Sequence, residues 1–524
     1  MLDAIVIGAG AAGVGAAAVL RAAGIDAYVV LEASDRVGGR VKSFSFGNST
    51  VHEPVVLEDG ANWVSGAGPP PLWPRRAVNP IFDLALRHSV PMVRVPGSAT
   101  NMSNWWVADE FGDWTDLNHA RRDRANKVKT CIAQMSKISG VDMTAAAGAE
   151  ACGWRSLTNV DRALEWQLFT GETGLPPQKM LASRYLPDPT YDDFGADDFF
   201  VVEQHERGFA RLLDAVADGE LDGGLQALTD GRLVLNTNVT SISYSCLGGA
   251  TVRAADGRSW SARHVISTIP LGVLQRRADT LFSPPIPPPQ RAAIGRVPMS
   301  NYTKIFAQWA RPWWDVTVYK WAQGNRGFNG GELGSVRNLA HKSVLPGSNI
   351  LLFDLGEPQS SYWERLTDEA ARARLVMRLR ETHPGTAIDE PVAFHISRHS
   401  LDPLSYGAYS AWGDSDSLDH DLAAKPLAAR KAPAGGQDLT WAREATMPAN
   451  ASNATCPPRV WLSGEAFCQN YNGFVHGGLL AGRRDARQVL MALGRPLPAM
   501  LPGEEKDFGC ELTTSRVRRR RGRT

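Results

Sequence analysis

A lysine lies at the centre of a segment that otherwise has the composition of a buried strand, Asn301 to Trp309, NYTKIFAQW. Successive side chains of a strand alternate between its two faces, so Tyr302, Lys304 and Phe306 share one face. A buried lysine has a lowered pKa and tends toward its neutral form, which makes Lys304 a candidate for chemistry. The ordinary alternative is a strand lysine whose ammonium group reaches solvent along its aliphatic stem.

A second candidate site is the pattern GxGxxG formed by Gly8, Gly10 and Gly13, between an apolar strand and a helix of small residues. In this arrangement the first glycine permits the tight turn, the second lets the backbone approach a pyrophosphate, and the third allows close helix packing. Glu32 ends the next strand, about twenty residues on, where an acid can accept hydrogen bonds from ribose hydroxyls. The diphosphate would lie at the positive end of the helix. The pattern therefore predicts a dinucleotide site.

The segment that begins at Glu32, EASDRVGGR, distinguishes FAD from NAD. It places Gly38 and Gly39 in a second glycine turn with Arg40 beside it, and this resembles the extended FAD fingerprint of glutathione-reductase-like flavoproteins. In that fingerprint the arginine lies where the diphosphate of a flavin needs charge compensation. We therefore predict FAD as the cofactor.

A third glycine-rich stretch lies near the end of the chain, in RVWLSGEAFCQNYNGFVHGG. Val460 to Leu462 is a predicted strand, Gly464 and Glu465 form a turn, and a helix is predicted from about His476. This geometry again directs a helix start and backbone amides toward a phosphate or a flavin edge. The alternative interpretation is a glycine-rich hinge without a ligand.

The elements that must position these groups belong to a chain of 524 residues, with 43% hydrophobic and 21% charged residues. This length is too great for one small core and indicates roughly two or three domains or interleaved lobes. Helices are predicted near residues 79–88, 116–136 and 204–218. Strand-like runs at 233–245 and 261–274 are suited to returning the chain to the dinucleotide-binding sheet.

Charge and cysteine usage exclude several classes of protein. The net charge is +1, and removing the six arginines of residues 516–524 leaves −5, which does not suit a surface that wraps nucleic acid. That basic tail is predicted to be disordered. Six widely spaced cysteines without CxxC spacing predict neither a zinc site nor a dense disulfide framework, and no metal is expected.

No segment of the sequence predicts a membrane span. Ala4 to Leu20 is uncharged, but it is short, contains four glycines and follows Asp3 rather than a basic region. With neither a signal peptide nor a C-terminal peroxisomal tripeptide in the sequence, the cytoplasm is the favoured compartment.

Taken together, these segments resemble the flavin-containing amine oxidase family, and plant-type polyamine oxidases most closely. The matching stretches occur in family order from residue 4 to about 490: VIGAGAAG, LEASDRVGGR, GANWVSG, DDFGADDFFVVEQHERGF, STIPLGVLQ, NYTKIF and SGEAFCQNYNGFVHGG. The resemblance implies an α/β fold, in which a glutathione-reductase-like FAD-binding Rossmann lobe is interleaved with an α+β substrate-binding lobe of mixed sheet plus helices. The implied segments are 1–75, 204–295 and 446–500 for FAD binding, 76–203 and 296–445 for substrate, and 501–524 for the tail.

The resemblance also assigns roles to individual residues. Lys304 would reach a water held at flavin N5, and Tyr409 and Phe474 would form a pair of rings that flank the amine. Tyr302 and Glu172 would orient the substrate, Glu172 by binding a distal ammonium group. Cofactor contacts are implied for Gly8, Gly10, Gly13, Glu32, Gly39, Arg40, Ala61, Asn62, Val239, Gly464 and Glu465.

Tyr409 and Phe474 reverse the order of phenylalanine and tyrosine that plant-type enzymes usually have, and three further positions depart from the family pattern. Ser65 stands where polyamine oxidases carry an acid after GANWV, which removes an anionic anchor. His399 follows Arg398 where the family commonly has a tryptophan beside the flavin. Ala408 stands at the position of the family's cysteinyl flavin link, so non-covalent FAD is expected.

The predicted activity is FAD-dependent oxidation of a C–N bond in a polyamine or related secondary amine. Hydride transfer to flavin N5 would give an imine, then an aldehyde and an amine, and O₂ would be reduced to hydrogen peroxide. The expected partners are a small-molecule amine and O₂, without a membrane or nucleic acid. Ser65 leaves a monoamine or specialised-metabolite amine oxidase open. The alternative outside the class of enzymes is a catalytically silent flavoprotein that serves as a binding scaffold. The presence of Lys304 argues against this alternative.

Overall fold

The computed structural model describes residues 1–67, 78–94, 105–109, 114–116, 119–138, 143–180, 182, 194, 197–202, 207–217, 231–245, 248–324, 332–411, 444–445, 458–468, 471–500 and 510. Within these ranges the chain forms one nine-stranded sheet, one seven-stranded sheet and three small sheets. The nine-stranded sheet contains the strand before the first glycine turn, and the seven-stranded sheet contains the lysine strand.

The nine-stranded sheet has a parallel centre, because its inner strands are short apolar runs that are buried on both faces. Leu2–Ile7 pairs in parallel with Tyr28–Leu31 on one side and with Ser259–Ser267 on the other. The remaining strands of this sheet are Leu233–Val234, Val239–Ser245, Gly249–Ala254, Phe282–Ser283, Glu444–Ala445 and Val460–Leu462.

Apolar clusters cover both faces of this sheet. Val6 belongs to a cluster with the helices Ala11–Ala22 and Val475–Ala492. Its neighbour Ile5 belongs to the opposite cluster, which includes helix Leu271–Leu281. The alternation of strand side chains thus places helices on either face and leaves the carboxyl ends of the strands open for a ligand.

The seven-stranded sheet contains the lysine strand, which spans Thr303–Gln308 and is buried along its whole length. It pairs antiparallel with Ile350–Leu355 and with Ala393–Ile396. Ile305 and Phe306 belong to different apolar clusters, as the predicted alternation requires. The remaining strands, in spatial order, are Ser335–Asn338, Lys320–Gly324, Trp105–Asp109 and Trp114–Asp116.

Short sheets and helices complete the described structure. The small sheets pair Ser43–Phe46 with Val55–Glu58, Asp197–Val201 with Trp63–Ala67 and Met92–Arg94, and Met299–Ser300 with Tyr409–Ser410. The other α-helices are Pro80–Arg87, His119–Ile138, Ala145–Ala151, Asn159–Glu165, Gly171–Thr173, Arg211–Ala217, Pro288–Arg296, Gln359–Glu364 and Asp368–Thr382. A π-helical turn spans Trp166–Thr170, and 3₁₀ turns span Pro177–Lys179, Gly208–Ala210 and Glu465–Phe467.

The predicted α/β fold class is the one observed. Strands of the nine-stranded sheet come from three separate stretches of the chain, 2–31, 233–283 and 444–462, as expected for a lobe built from discontinuous segments. The segment boundaries stay predictions, and the tail at 501–524 lies outside the described residues except for Cys510. In the described ranges, no helix is long and apolar enough to cross a membrane.

Two disulfides join cysteines that are distant in sequence. Cys131 pairs with Cys152 at a Cα–Cα distance of 6.0 Å, and Cys468 pairs with Cys510 at 4.5 Å. The separations of 21 and 42 residues form no recognisable spacing motif, so the sequence did not predict these pairs. The remaining two cysteines lie outside the described residues.

Candidate active site

A cavity of about 1140 Å³ is lined by residues from both large sheets. The predicted site residues in its wall are Gly8, Gly10, Glu32, Gly39, Arg40, Ala61, Asn62, Val239, Tyr302, Lys304, Tyr409, Gly464, Glu465 and Phe474. Gly13 is not in the wall but supports the turn from behind. Glu172 lies in helix Gly171–Thr173, both ends of which line the cavity, and its side chain is outside the described part of the structure.

The first glycine turn presents an uncapped helix start to the cavity. Gly8 has φ +99°, a conformation that favours glycine. A Cβ on Gly13 would lie 1.8 Å from the carbonyl oxygen of Gly8, so the helix fits against the turn only without a side chain there. The helix Ala11–Ala22 begins after Gly10 without a side-chain cap and without an acid in its first turn. Its first N–H groups and the positive end of its dipole therefore fit a diphosphate.

Glu32 is buried at the end of strand Tyr28–Leu31, and protein donors orient its carboxylate. The carboxylate accepts from the Ala9 amide at 2.7 Å and from the amide and hydroxyl of Ser34, each at 2.8 Å. A carboxylate has about four lone-pair positions, so it can still accept from hydroxyls on the cavity side. This arrangement fits the ribose of a dinucleotide.

The two arginines of the second glycine turn differ in their partners. Arg36 donates to the carbonyl oxygens of Gly39 at 2.7 Å and Val41 at 3.0 Å, and thereby braces the turn. Arg40 donates to the carboxylate of Glu465 at 2.8 Å. Both arginines belong to the cavity wall, and their positive charge fits a diphosphate there.

Glu465 connects three segments of the site. Besides Arg40, its carboxylate receives hydrogen bonds from the Gly473 amide at 2.7 Å and from the amide and hydroxyl of Ser410. Burial alone would raise the pKa of Glu465, but the charge of Arg40 and these hydrogen bonds outweigh it and lower the pKa below its ordinary value. The charged carboxylate thereby fixes the two segments that carry the predicted aromatic pair.

Lys304 is 3% exposed, which excludes a lysine that reaches solvent. Its amino group donates to the carbonyl oxygens of Glu58 at 3.1 Å and of Gly60, and to Oδ1 of Asn62 at 2.8 Å. Burial lowers the pKa of Lys304 to about 7, against the opposing charges of Glu58 and Asp59. Both protonation states are therefore accessible near neutral pH.

Two groups from other segments also lie near Lys304. Its Nζ lies 5.2 Å from the ring centroid of Trp63, and the guanidinium of Arg337 lies 4.4 Å from the same ring. Asn62 is 1% exposed, and its Nδ2 has no hydrogen-bond partner among the described residues. A buried donor without a partner is costly, so the carbonyl and nitrogen acceptors of an isoalloxazine ring would fit this part of the cavity.

The predicted aromatic residues come together in the wall. Tyr409 lies on the short strand Tyr409–Ser410, and its ring centroid is 6.0 Å from that of Tyr302. A Cβ on Gly473 would lie 3.3 Å from the ring of Tyr409, so the segment that carries Phe474 passes directly against this ring. Two segments far apart in sequence, one with Tyr409 and one with Phe474, thus meet at the cavity.

Sequence reasoning missed a group of charged residues in the same wall. Oδ1 of Asp198 accepts from the Gly66 amide at 3.3 Å, next to Ser65, and Asp198 lines the cavity. The strand Asp197–Val201 lies in the segment DDFGADDFFVVEQHERGF, which resembles the family. The sequence of this segment does not show which face of the strand lines the cavity. The described cations in the wall outside the two glycine turns include Lys129, Lys304, Lys320 and Arg337.

His399, at one of the positions that depart from the family pattern, and His395 both contact Asp59. Nε2 of His399 is 2.9 Å from the carbonyl oxygen of Asp59, and Nε2 of His395 is 2.9 Å from the carboxylate of Asp59. Burial alone would raise the pKa of Asp59, but the hydrogen bond from His395, the charge of His399 and the bond from Lys42 hold it well below its ordinary value. Both histidines line the cavity.

Comparison with known proteins identifies the class. The family model for flavin containing amine oxidoreductase matches residues 11–490, and the chain belongs to this family. Polyamine oxidase 1 of Zea mays is 28% identical over 502 residues, which covers 93% of this chain and 90% of the relative. The peroxisomal N(1)-acetyl-spermine/spermidine oxidase of Homo sapiens is 25% identical, covering 93% of this chain and 94% of the relative.

A solved structure agrees with the fold. A redesign of cofactor binding in putrescine oxidase matches with a TM-score of 0.65 and 17% identity, over 93% of this chain and 99% of that one. The protein is therefore an FAD-dependent amine oxidoreductase, and the predicted family, fold class and cofactor are confirmed. The described wall of the cavity contains no cysteine that could bond to the flavin.

Proposed function

We propose that this chain oxidises a C–N bond of a polyamine or a related secondary amine in the cavity. The observation that carries the proposal is the placement of Lys304, a buried amine with a pKa of about 7. It lies beside the unpartnered amide donor of Asn62, in a cavity that begins at the dinucleotide turn. In this proposal, the flavin ring and the substrate meet beside these groups.

The glycine turns, Glu32 and Arg40 would hold FAD, which would supply the redox chemistry as the acceptor of a hydride equivalent from the α-carbon of the amine, with O₂ as the final electron acceptor that becomes hydrogen peroxide. In its neutral form, Lys304 has a lone pair at Nζ that can accept a hydrogen bond from a water, and it exchanges a proton there. Tyr409 and Phe474 exclude bulk water and orient the neutral amine, which is a positioning effect. Tyr302 supports the ring of Tyr409, and Glu172 binds a distal ammonium group. The imine product is hydrolysed to an aldehyde and an amine.

The substrate class is supported by the names of the relatives. The maize and human relatives are named as oxidases of polyamines or of their acetylated forms. The structural neighbour is named a putrescine oxidase. All three names describe amines with more than one nitrogen, which is the class that the family segments of this sequence indicate.

The charges of the wall favour a second candidate, a monoamine oxidase. Ser65 supplies no carboxylate, and the described acid beside it is Asp198. Cations such as Lys129 and Lys320 line the same cavity. Because like charges repel, these cations disfavour a substrate with three or four ammonium groups.

A substrate panel on FAD-loaded wild type and Ser65→Glu tests the proposal. A new carboxylate that binds an ammonium contributes about 1.5–3 kcal/mol, so kcat/KM for spermine and spermidine should rise about tenfold or more. Butylamine has no second charge and should change little. Peroxide release is the measurement, and Ser65→Gln, similar in size but neutral, is the control. Absence of peroxide from every amine, with FAD bound, would instead favour the flavoprotein scaffold.

A further inference from the structure

Two segments of the cavity wall are connected behind it by buried hydrogen bonds. Asn79 is completely buried and donates from Nδ2 to the carbonyl oxygen of Ser65 at 2.9 Å. The same amide nitrogen lies 3.3 Å from Nδ1 of His476. Because the amide nitrogen is a donor, Nδ1 must be the acceptor. The imidazole of His476 is therefore neutral and carries its proton on Nε2.

The other end of the Asn79 side chain fixes the orientation of the amide. Its Oδ1 accepts from the backbone amides of Ile81 at 2.9 Å and Phe82 at 3.3 Å, and it caps helix Pro80–Arg87. Rotation of the amide would place donors against these two N–H groups and lose the cap. The helix start therefore holds Nδ2 toward both Ser65 and His476.

His476 in turn supports the ring of Phe474. The two rings stack with their centroids 5.0 Å apart and an angle of 16° between their planes. Phe194 and Tyr471 meet the imidazole edge-on, with centroid distances of 5.4 and 5.1 Å. His476 is only 5% exposed, so the imidazole has little room to move. The stack transmits the position of the imidazole to Phe474.

We propose that Asn79 and His476 are positioning residues that set the separation between the Phe474 ring and the strand Trp63–Ala67. This separation decides how bulky an amine the cavity accepts. Neither residue is among the described residues of the cavity wall, so they act only through Ser65 and Phe474. The inference rests on the proposed function, in which Phe474 flanks the amine.

Two conservative variants test the connection in the full-length, FAD-loaded enzyme. His476→Phe keeps a ring that can stack but removes the acceptor, and Asn79→Ser keeps a capping oxygen but removes the amide donor. The probes are a slim secondary amine, N-methylbutylamine, and a bulky one, N-methylbenzylamine. Flavin reduction is followed without oxygen at several amine concentrations. In both variants the reduction efficiency for the bulky amine, relative to the slim one, should rise about tenfold.

The matched control is His264→Phe. His264 is also buried, at 1% exposure, and packs edge-on against Trp461, but it is not among the described residues of the wall. Its variant should keep the wild-type ratio. A ratio within about twofold of wild type in both test variants, or an equal shift in His264→Phe, would overturn the inference. If Asn79→Ser does not fold, the ratio measured for His476→Phe is sufficient to test the proposal.

Failure of the proposed function gives a different result. A wild-type flavin that neither probe nor any amine of the substrate panel reduces would refute amine oxidation itself, and this inference with it. A wild type that is reduced, combined with unchanged ratios in the variants, would refute only the positioning role.

Discussion

Burial shifts the pKa of Lys304 and the pKa of its neighbour Glu58 in opposite directions. Removal from water favours the neutral form, so it lowers the pKa of Lys304 to about 7 and raises that of Glu58 to about 7. The amino group of the lysine contacts the main-chain oxygen of Glu58 at 3.1 Å. Around neutral pH, a small change in surroundings therefore changes the charge of this part of the site.

Flavin reduction by an amine should become faster as the pH rises through about 7. Below the lowered pKa, Lys304 is an ammonium, and above it Lys304 is a neutral amine that can accept a proton. Lys304→Met has no titrating group at this position. Its profile should therefore lack the step near pH 7 and keep only the gradual rise that comes from deprotonation of the substrate amine, and its rate should be about 100-fold lower. Stopped-flow absorbance without oxygen, from about pH 6 to about pH 9, measures both profiles. A step near pH 7 that persists in Lys304→Met would belong to another group, such as Glu58, and would contradict this assignment.

Local sequence patterns predicted some site residues and missed others for a physical reason. The glycine turn and Glu32 are close in sequence, so one short motif specifies their geometry. The carbonyl group of Gly60 that Lys304 contacts is 244 residues away. The ring of Trp63 and the carboxylate of Asp198 likewise reach the site only through the packing of separate segments. No local period encodes such contacts.

At the scale of secondary-structure elements, two helices of the FAD-binding lobe pack at very short range. A Cβ on Gly482, in helix Val475–Ala492, would lie 1.8 Å from the carbonyl oxygen of Ala12. A Cβ on Gly15 would lie 2.8 Å from the carbonyl oxygen of Leu479. Small residues on both helices thus let helix Ala11–Ala22 and helix Val475–Ala492 lie against each other.

Gly482→Ala should lower the free energy of unfolding by about 1–3 kcal/mol and weaken FAD binding, because the two helices must separate. Gly295→Ala, in helix Pro288–Arg296, is the control, since the nearest atom to its Cβ would be Arg291 Nη1 at 3.7 Å. The control should gain about 0.5–1 kcal/mol from helix propensity. Denaturant unfolding and FAD titration measure both effects. Equal stability of Gly482→Ala and wild type would contradict the close packing.

The elements themselves were largely predictable, because periodicity and turn residues mark them. The helices predicted near 79–88 and 116–136 correspond to Pro80–Arg87 and His119–Ile138. Of the helix predicted at 204–218, the described part is α-helical only over Arg211–Ala217, after the 3₁₀ turn Gly208–Ala210. Gly208 has φ +46°, and a Cβ there would lie 2.2 Å from the carboxylate of Glu58. A tertiary contact therefore overrides the helical period at this point.

At the scale of the whole molecule, the disulfides bear on the compartment. The cytoplasm was favoured from targeting segments alone, whereas disulfides typically form and persist in oxidising compartments. The pair Cys468–Cys510 attaches the tail to the segment that carries Glu465 and Phe474. Cys510 is 2% exposed, so this attachment is part of the core.

Replacing Cys468 and Cys510 by serine should lower the free energy of unfolding by about 3 kcal/mol. The reason is that the disulfide no longer restricts the conformations of the 42-residue loop in the unfolded state. The variant that removes Cys131–Cys152, with a loop of 21 residues, should lose somewhat less. Denaturant unfolding compares the variants, and peptide mass spectrometry without reductant verifies each pair in wild type. Free thiols at these positions in the folded, oxidised protein would contradict the pairing.

The most direct test of the account is the visible absorbance of the purified, FAD-loaded protein when an amine is added without oxygen. The account predicts that the yellow colour is bleached, that Lys304→Met bleaches about 100-fold more slowly, and that oxygen restores the colour with release of hydrogen peroxide. Protein that binds no FAD, or that binds FAD and stays yellow with every amine tested, would contradict it.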